Sequence, residues 1–349
     1  MVGETPGGEE MRILITGSTY THFNGHMYFT KSPAISQHLK DGLVLAGHNV
    51  KMQSPETASP LDYDVALFGL TPCGSISARF QYYEYDLYAR CRKLGMRTAW
   101  FIDDWQWYQL AAHMRTLMNT YEKRASQLAG TRRKGTEDYF LSVKSKLGKI
   151  FKDFQAGESS PVIMVFFDPD GGLEPHAVKR LCGNKIIPVD PSSVFPRVDV
   201  PVQRRAKKWI LAALGDYSKF LSGLDLKWPV DLYGPTSGHK DHMLEADLIR
   251  NVYGSAWGQI IPQYPVKVGK LWRSRYVHSV LAGNVALTTS DEIKEIFGGS
   301  YTFTAAEIEK FNAAGLEQIA LNQKKVFYKF TWSAEQFAER LSKVVKGLK

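Results

Sequence analysis

"RTAWFIDDWQW" (97–107) begins as a buried strand and ends as something else. Thr98 to Ile102 is an apolar run, the pattern of a strand covered on both faces by helices in a parallel sheet. Two adjacent carboxylates, Asp103 and Asp104, follow at once, and then the indoles of Trp105 and Trp107. Ligands in open α/β sheets bind at the carboxyl ends of the strands. These four residues therefore stand where a ligand is expected.

The flanking sequence agrees. "MRILITGS" (11–18) reads as a strand entering a glycine turn. "SPAISQHLKDGLVLAGHNV" (32–50) reads as a helix, with Ser32 as cap, Pro33 in the first turn and Gly47 at the exit. "NVKMQSP" and "DYDVALFGL" (62–70) are strands, and "ISARFQYYEYDLYARCRKLG" (76–95) is a helix. This order predicts a doubly wound parallel sheet. It resumes with the strand "PVIMVFF" (161–167), the helix "LEPHAVKRLCG" and the strand "NKIIPVD". The proline-rich "PSSVFPRVDVPVQRR" (191–205) reads as an interdomain linker.

A second α/β pattern follows the linker. Its strands are "KWILAALG" (208–215), "WPVDLYG" (228–234), "GQIIPQY" and "NVALTTS" (284–290). Its helices are "DYSKFLSGL", "HMLEADLIRNVYG" and "KLWRSRYVHSVLAG" (270–283). The expected organisation is a disordered lead-in at 1–10, domains at 11–195 and 206–328, and an amphipathic terminal helix at 329–349. Two Rossmann-like halves facing a central cleft resemble the GT-B architecture.

Composition narrows the class. A hydrophobic content of 44% and a charged content of 23% fit a soluble globular protein, and 349 residues suit two domains. No apolar run approaches the ~18 residues that cross a bilayer, so no membrane partner is expected. "MVGETPGGEE" lacks the basic and apolar regions of a secretory signal. Cys73, Cys91 and Cys182 are scattered and form no CxxC pair, which argues against a disulfide framework or a cysteine zinc site. The expected location is the reducing cytoplasm. A net charge of +9 and a pI of about 9.2 favour a polyanionic partner, although a merely basic enzyme carries the same charge. The charge is concentrated: from Leu110 to Gln155, ten Lys or Arg stand against four Asp or Glu. Residues 108–157 are expected to form a basic helical insertion, which could equally be a solvated face or a partner-binding arm.

Several residues could do chemistry. A carboxylate at a cleft edge, beside indoles that exclude water, has a raised pKa and can act as a general base. One of the two acids could instead cap the following helix. A base is needed where an acceptor hydroxyl attacks the anomeric carbon of a nucleotide sugar in a single inverting displacement. The departing nucleoside diphosphate needs positive charge, which "KLWRSRYVH" offers through Lys270, Arg273, Arg275 and His278. Arg275 and His278 are three apart and share a helix face, and arginine grips a diphosphate through two parallel hydrogen bonds.

"ALGDYSK", with Gly215, Tyr217 and Lys219, is a glycine turn opening a helix, whose free N–H groups suit phosphate. Gly17 and Ser18 in "TGS" form a third candidate loop, and the absence of GxGxxG counts against a dehydrogenase. The basic helix could also be a solvated face, and Trp105, Trp107 and Tyr108 could be core. Beside basic residues such as Arg132, Arg133 and Lys134, however, aromatics suit nucleobases along a phosphate backbone. His239, Asp241 and His242 in "GHKDH" read as a polar loop, and no zinc pattern occurs. A divalent metal such as Mg is admitted as a cofactor.

Together these features resemble the DNA β-glucosyltransferases of tailed phages, GT-B enzymes that glucosylate 5-hydroxymethylcytosine in duplex DNA. Length and element order agree over most of the chain, by pattern more than by identity. "AWFIDD" resembles the strand that ends in the family's catalytic aspartate, which implies that role for Asp103. "LGDYSK" sits where the family has a glycine-rich donor loop with arginines, and here Lys219 stands in for them. "SRYVHSVLAGNVAL" resembles the donor helix and its following strand. Arg275 falls at the diphosphate-gripping arginine, and His278 at a glutamate that holds the ribose. "DLYG", with Tyr233 and Gly234, matches an aromatic-glycine strand end near the nucleoside.

The resemblance implies a UDP-glucose or related donor, duplex DNA as partner, a monomer, and a terminal helix returning to the first domain. The helical segment 108–157 departs from the family, so the acceptor could be another hydroxymethylated pyrimidine, such as 5-hydroxymethyluracil. A GT-B enzyme acting on a small molecule or envelope glycan, and a non-catalytic DNA binder on the same scaffold, are the competing readings.

Overall fold

The computed structural model describes residues 10–17, 34–69, 78–102, 118–119, 121–127, 129, 134–156, 158, 160–164, 187–189, 195, 198–200, 205–212, 217–233, 245–262 and 274–348. The first sheet contains β1 (Arg12–Gly17), β2 (Asn49–Met52), β3 (Val65–Gly69), β4 (Arg97–Ile102), β5 (Ser160–Met164) and β6 (Ile187–Val189). Its order is β2-β1-β3-β4-β5-β6, and every pair is parallel. Parallel neighbours need crossovers, which α1 (Ala34–Leu45), α2 (Ala78–Lys93) and α3 (Lys134–Ala156) supply. The chain leaves β1 toward β2 and returns to lay β3 on the other side, so the topological switch point lies between β1 and β3.

The second sheet contains β7 (Ala206–Ala212), β8 (Val230–Tyr233), β9 (Ala256–Ile261) and β10 (Val285–Thr288). Its order, β10-β9-β7-β8, is again all parallel, with the switch point between β7 and β9. Both sheets thus wind by one rule: first strand inside, second to one side, third to the other. Around this sheet lie α4 (Ser218–Ser222), α5 (Ser274–Ala282), α6 (Asp291–Phe297), α7 (Ala305–Ile308) and α8 (Ala313–Lys329). The expected helix 242–254 is, in its described part, a single turn (Glu245–Asp247) running into a π-helical stretch, Leu248–Val252.

The strands run apolar because both faces are covered. Ile13 and Ile15 of β1 pack with Leu39 and Leu43 of α1 on one face. On the other face, Phe68 of β3 and Trp100 of β4 meet Tyr88 of α2, with ring centroids 5.6 and 5.2 Å away. The last helix, α9 (Ala334–Lys346), begins with a capping box between Ser333 and Gln336. Its apolar stripe, Phe337, Leu341, Val344 and Val345, joins the α1 side of the first core. Gly42 of α1 lets the two helices approach, since a Cβ there would overlap the Phe337 ring.

The expected basic helical insertion, 108–157, contains α3, which is also the crossover that parallel pairing of β4 and β5 demands. Val143, Leu147 and Ile150 are buried, and Tyr88 donates a hydrogen bond of 2.8 Å to Asp153. Lys146 pairs with Asp86 at 2.9 Å and Lys144 with Glu122 at 2.8 Å, so part of the segment's positive charge is neutralised within the protein.

Candidate active site

At the carboxyl edge of the first sheet, beside the switch point, Gly17, Gly69 and Phe101 stand in register on β1, β3 and β4. In sequence, Asp103 is the residue after Ile102, the last of β4. The placement of Asp103, Asp104, Trp105, Trp107, Ser18, Arg132 and Arg133 lies outside the described residues. Lys134 opens α3, and only its backbone is described.

One residue below the edge runs a buried row, Thr16, Phe68 and Trp100. The rings of Phe68 and Trp100 lie 4.9 Å apart, and Tyr85 meets Trp100 edge-on at 5.9 Å. This row is a dry aromatic floor. The Thr16 hydroxyl is buried without a hydrogen-bond partner, and Glu84 of α2 is buried too. Neither residue has a sequence signal: threonine is ordinary in a strand, and Glu84 sits in the mixed run "YYEYD".

Several of the proposed donor residues belong to elements that follow or end strands of the second sheet. Tyr217 and Lys219 follow β7, Tyr233 ends β8, and Arg275 and His278 lie on α5, which follows β9. Gly215, Gly234 and Arg273 lie outside the described residues, and only the backbone of Arg275 is described. Tyr217 is half-buried, edge-on to Phe220 at 6.0 Å, and Lys219 is exposed on the five-residue α4. Tyr233 is half-buried, and burial pushes its hydroxyl pKa up. Two residues before it, Asp231 holds Lys208 at 2.6 Å.

His278 is placed differently from its neighbours. It is buried against Tyr253 at 5.4 Å and Phe195 at 5.5 Å. Phe195, from the linker, also lies 3.9 Å from the ring of His38 on α1. One buried linker ring therefore touches both halves of the molecule. Sequence reasoning passed over Phe195, because a phenylalanine between prolines reads only as linker.

Other chemistry finds no support among the described residues. No group of three or more His, Cys, Asp or Glu gathers there to hold a metal ion, and the "GHKDH" loop lies outside them. Burial pushes the Cys91 thiol up to about 12, which leaves it protonated and unreactive at neutral pH. No described helix is long and apolar enough to cross a membrane.

No protein-family model matches the chain, and no curated protein sequence matches it. Among solved structures, it is similar to the DNA-modifying enzyme β-glucosyltransferase, studied with and without uridine diphosphoglucose. The TM-score is 0.53 at 11% identity, over 96% of this chain and 99% of that one. A UDP-glucosyltransferase from Polygonum tinctorium capable of glucosylating indoxyl follows with TM-score 0.40 and 9% identity, over 97% and 99% of the two chains. Phytolacca americana UGT2 gives 0.42 and 11%, over 96% and 99%. The two plant enzymes superpose too loosely to carry an argument. The first likeness is one of fold, and with the two parallel sheets it defines the class: a GT-B protein, two Rossmann-like units across a cleft.

Proposed function

We propose that the protein is an inverting glycosyltransferase that moves a sugar, probed first as glucose, from a UDP-sugar to the hydroxyl of a hydroxymethylated pyrimidine in duplex DNA. One coincidence carries the reading. The fold likeness to a DNA-modifying β-glucosyltransferase spans 96% of the chain, and Asp103 is the next residue in the chain after β4, an inner strand of the first parallel sheet.

In this scheme Asp103 accepts the proton of the acceptor hydroxyl. The hydroxyl oxygen bonds to the anomeric carbon as the bond from that carbon to the diphosphate oxygen breaks on the opposite face. Arg275, with Arg273 and Lys219, takes the negative charge of the departing UDP. Tyr217 and Tyr233, with the Gly215 and Gly234 turns, border the nucleoside. Gly17 and Ser18 border the sugar from the first domain. The target nucleotide is turned out of the duplex to reach Asp103, and Trp105 or Trp107 stacks on it or fills its place.

The test is incubation with a panel of labelled UDP-sugars and DNA bearing 5-hydroxymethylcytosine or 5-hydroxymethyluracil, read by nucleoside mass spectrometry. A glycosylated nucleoside is the expected product. Transfer only to small hydroxylated molecules would move the acceptor to that class. No turnover of any nucleotide sugar would end the enzyme reading.

A further inference from the structure

We propose that Arg205 is a positioning residue for donor binding: it fastens the C-terminal end of α5 and so sets where that helix presents Arg275. The inference rests on the donor-site reading of Arg275 above.

Arg205 is the residue through which the linker enters β7. Its guanidinium donates to the carbonyls of Gly283 and Ala282, the second at 2.7 Å. These belong to the free carbonyls at the end of α5, where a cation also meets the negative end of the helix dipole. The same guanidinium lies over the Trp257 ring of β9 at 5.1 Å.

Gly283 is required twice. Its φ of +69° is left-handed, and a Cβ on it would lie 2.6 Å from an Arg205 nitrogen. Beside the guanidinium lies a cavity of about 210 Å³, bordered by Val198 and Asp199 of the linker and by Glu317 and Lys324 of α8. Arg205 is therefore held by its hydrogen bonds and the Trp257 face, not by a packed wall on every side.

Helix α5 is a short rod tied at both ends. Near its start, Tyr276 Oη and Thr288 Oγ1 share a hydrogen bond of 2.5 Å. At its end stands Arg205, and at its middle His278 leans on Phe195 of the same linker. A rod of nine residues is about 13.5 Å long, so movement at one end reaches the other. The linker thus reaches the residue that would hold the diphosphate.

The test titrates the intact protein with UDP by calorimetry, well below its unfolding temperature. Arg205→Gln and Gly283→Ala should each raise the UDP Kd by about 5–10-fold, the low end of ordinary coupling, with Arg205→Lys between them and the parent. Gly283→Ala displaces the guanidinium while keeping its charge, and carries the test if Arg205→Gln does not fold. Leu316→Ala, which softens the core shared with Trp257 but removes neither Arg205 hydrogen bond, should lower Tm and leave Kd unchanged. If Leu316→Ala raises Kd in step with its fall in Tm, general softening explains the effect and the positioning role falls. If Arg205→Gln and Gly283→Ala bind UDP like the parent while Arg275→Ala binds weakly, the clamp is refuted and the donor site stands. If Arg275→Ala also binds like the parent, both fail.

Discussion

His48 and Ser342 lie 294 positions apart in the chain and share a buried hydrogen bond of 2.9 Å. The Met11 N–H points at the other ring nitrogen of His48, at 3.4 Å, so the proton sits on Nε2 and is donated to the serine. This bond pins α9 to the first sheet.

Burial, and then the nearby Lys346, hold the His48 pKa below its ordinary value of 6.5, against a smaller upward pull from Glu10. A lowered histidine pKa means that the folded state binds this proton less readily than the unfolded chain. Its contribution to stability is therefore full above pH 6.5 and falls as the pH drops below it toward the folded value. Tm should decline through that window, and His48→Gln should reduce the decline. Equal slopes in the two proteins would remove His48 as the cause.

Asp103→Asn keeps the shape of the side chain and removes the base. Turnover should fall at least ~10²-fold with UDP affinity unchanged. Parent-like turnover in this variant would shift the role to Asp104 or abolish it.

Arg275→Ala should weaken UDP binding by about 1.5–3 kcal/mol, the range of a charge-assisted hydrogen bond. Lys219 is exposed, and its removal should cost no more than about 1 kcal/mol. Calorimetry that ranks the two the other way would place the diphosphate on α4 instead.

DNA affinity should fall steeply with salt. Neutralising Arg132, Arg133 and Lys134 should flatten the slope by about 0.9 for each phosphate that the protein no longer neutralises. Lys146→Gln should leave it nearly unchanged, because Asp86 already engages that ammonium at 2.9 Å. A salt-insensitive interaction would leave the small-molecule acceptor as the better reading.

A base analogue that fluoresces when unstacked, placed at the target position, should brighten on binding, and less so with Trp105→Ala or Trp107→Ala. Unchanged emission in the parent protein would mean that the nucleotide stays in the duplex.

Local sequence carried the fold class because buried parallel strands must be apolar on both faces. Runs such as "ILIT", "VALFG" and "TAWFI" therefore announce themselves. The same logic placed Asp103 beyond a strand end. It also put Arg275 on a helix after β9, because element order is a property of the chain itself.

Strand order, and which element covers which, belonged to the tertiary structure, since a periodic pattern says only that a face must be buried. Gln323 of α8 looks like a surface residue of an amphipathic helix, yet its amide bonds both the N–H and the C=O of Ala286 on edge strand β10, at 2.7 and 2.9 Å. His278 shares a helix face with Arg275 in sequence, yet its ring is enclosed by Phe195 and Tyr253. Lys144 and Lys146 read as free basic charge until Glu122 and Asp86, 22 and 60 positions away in the chain, are folded against them. In each case the partner is distant along the sequence, and only packing brings it within hydrogen-bond or van der Waals range.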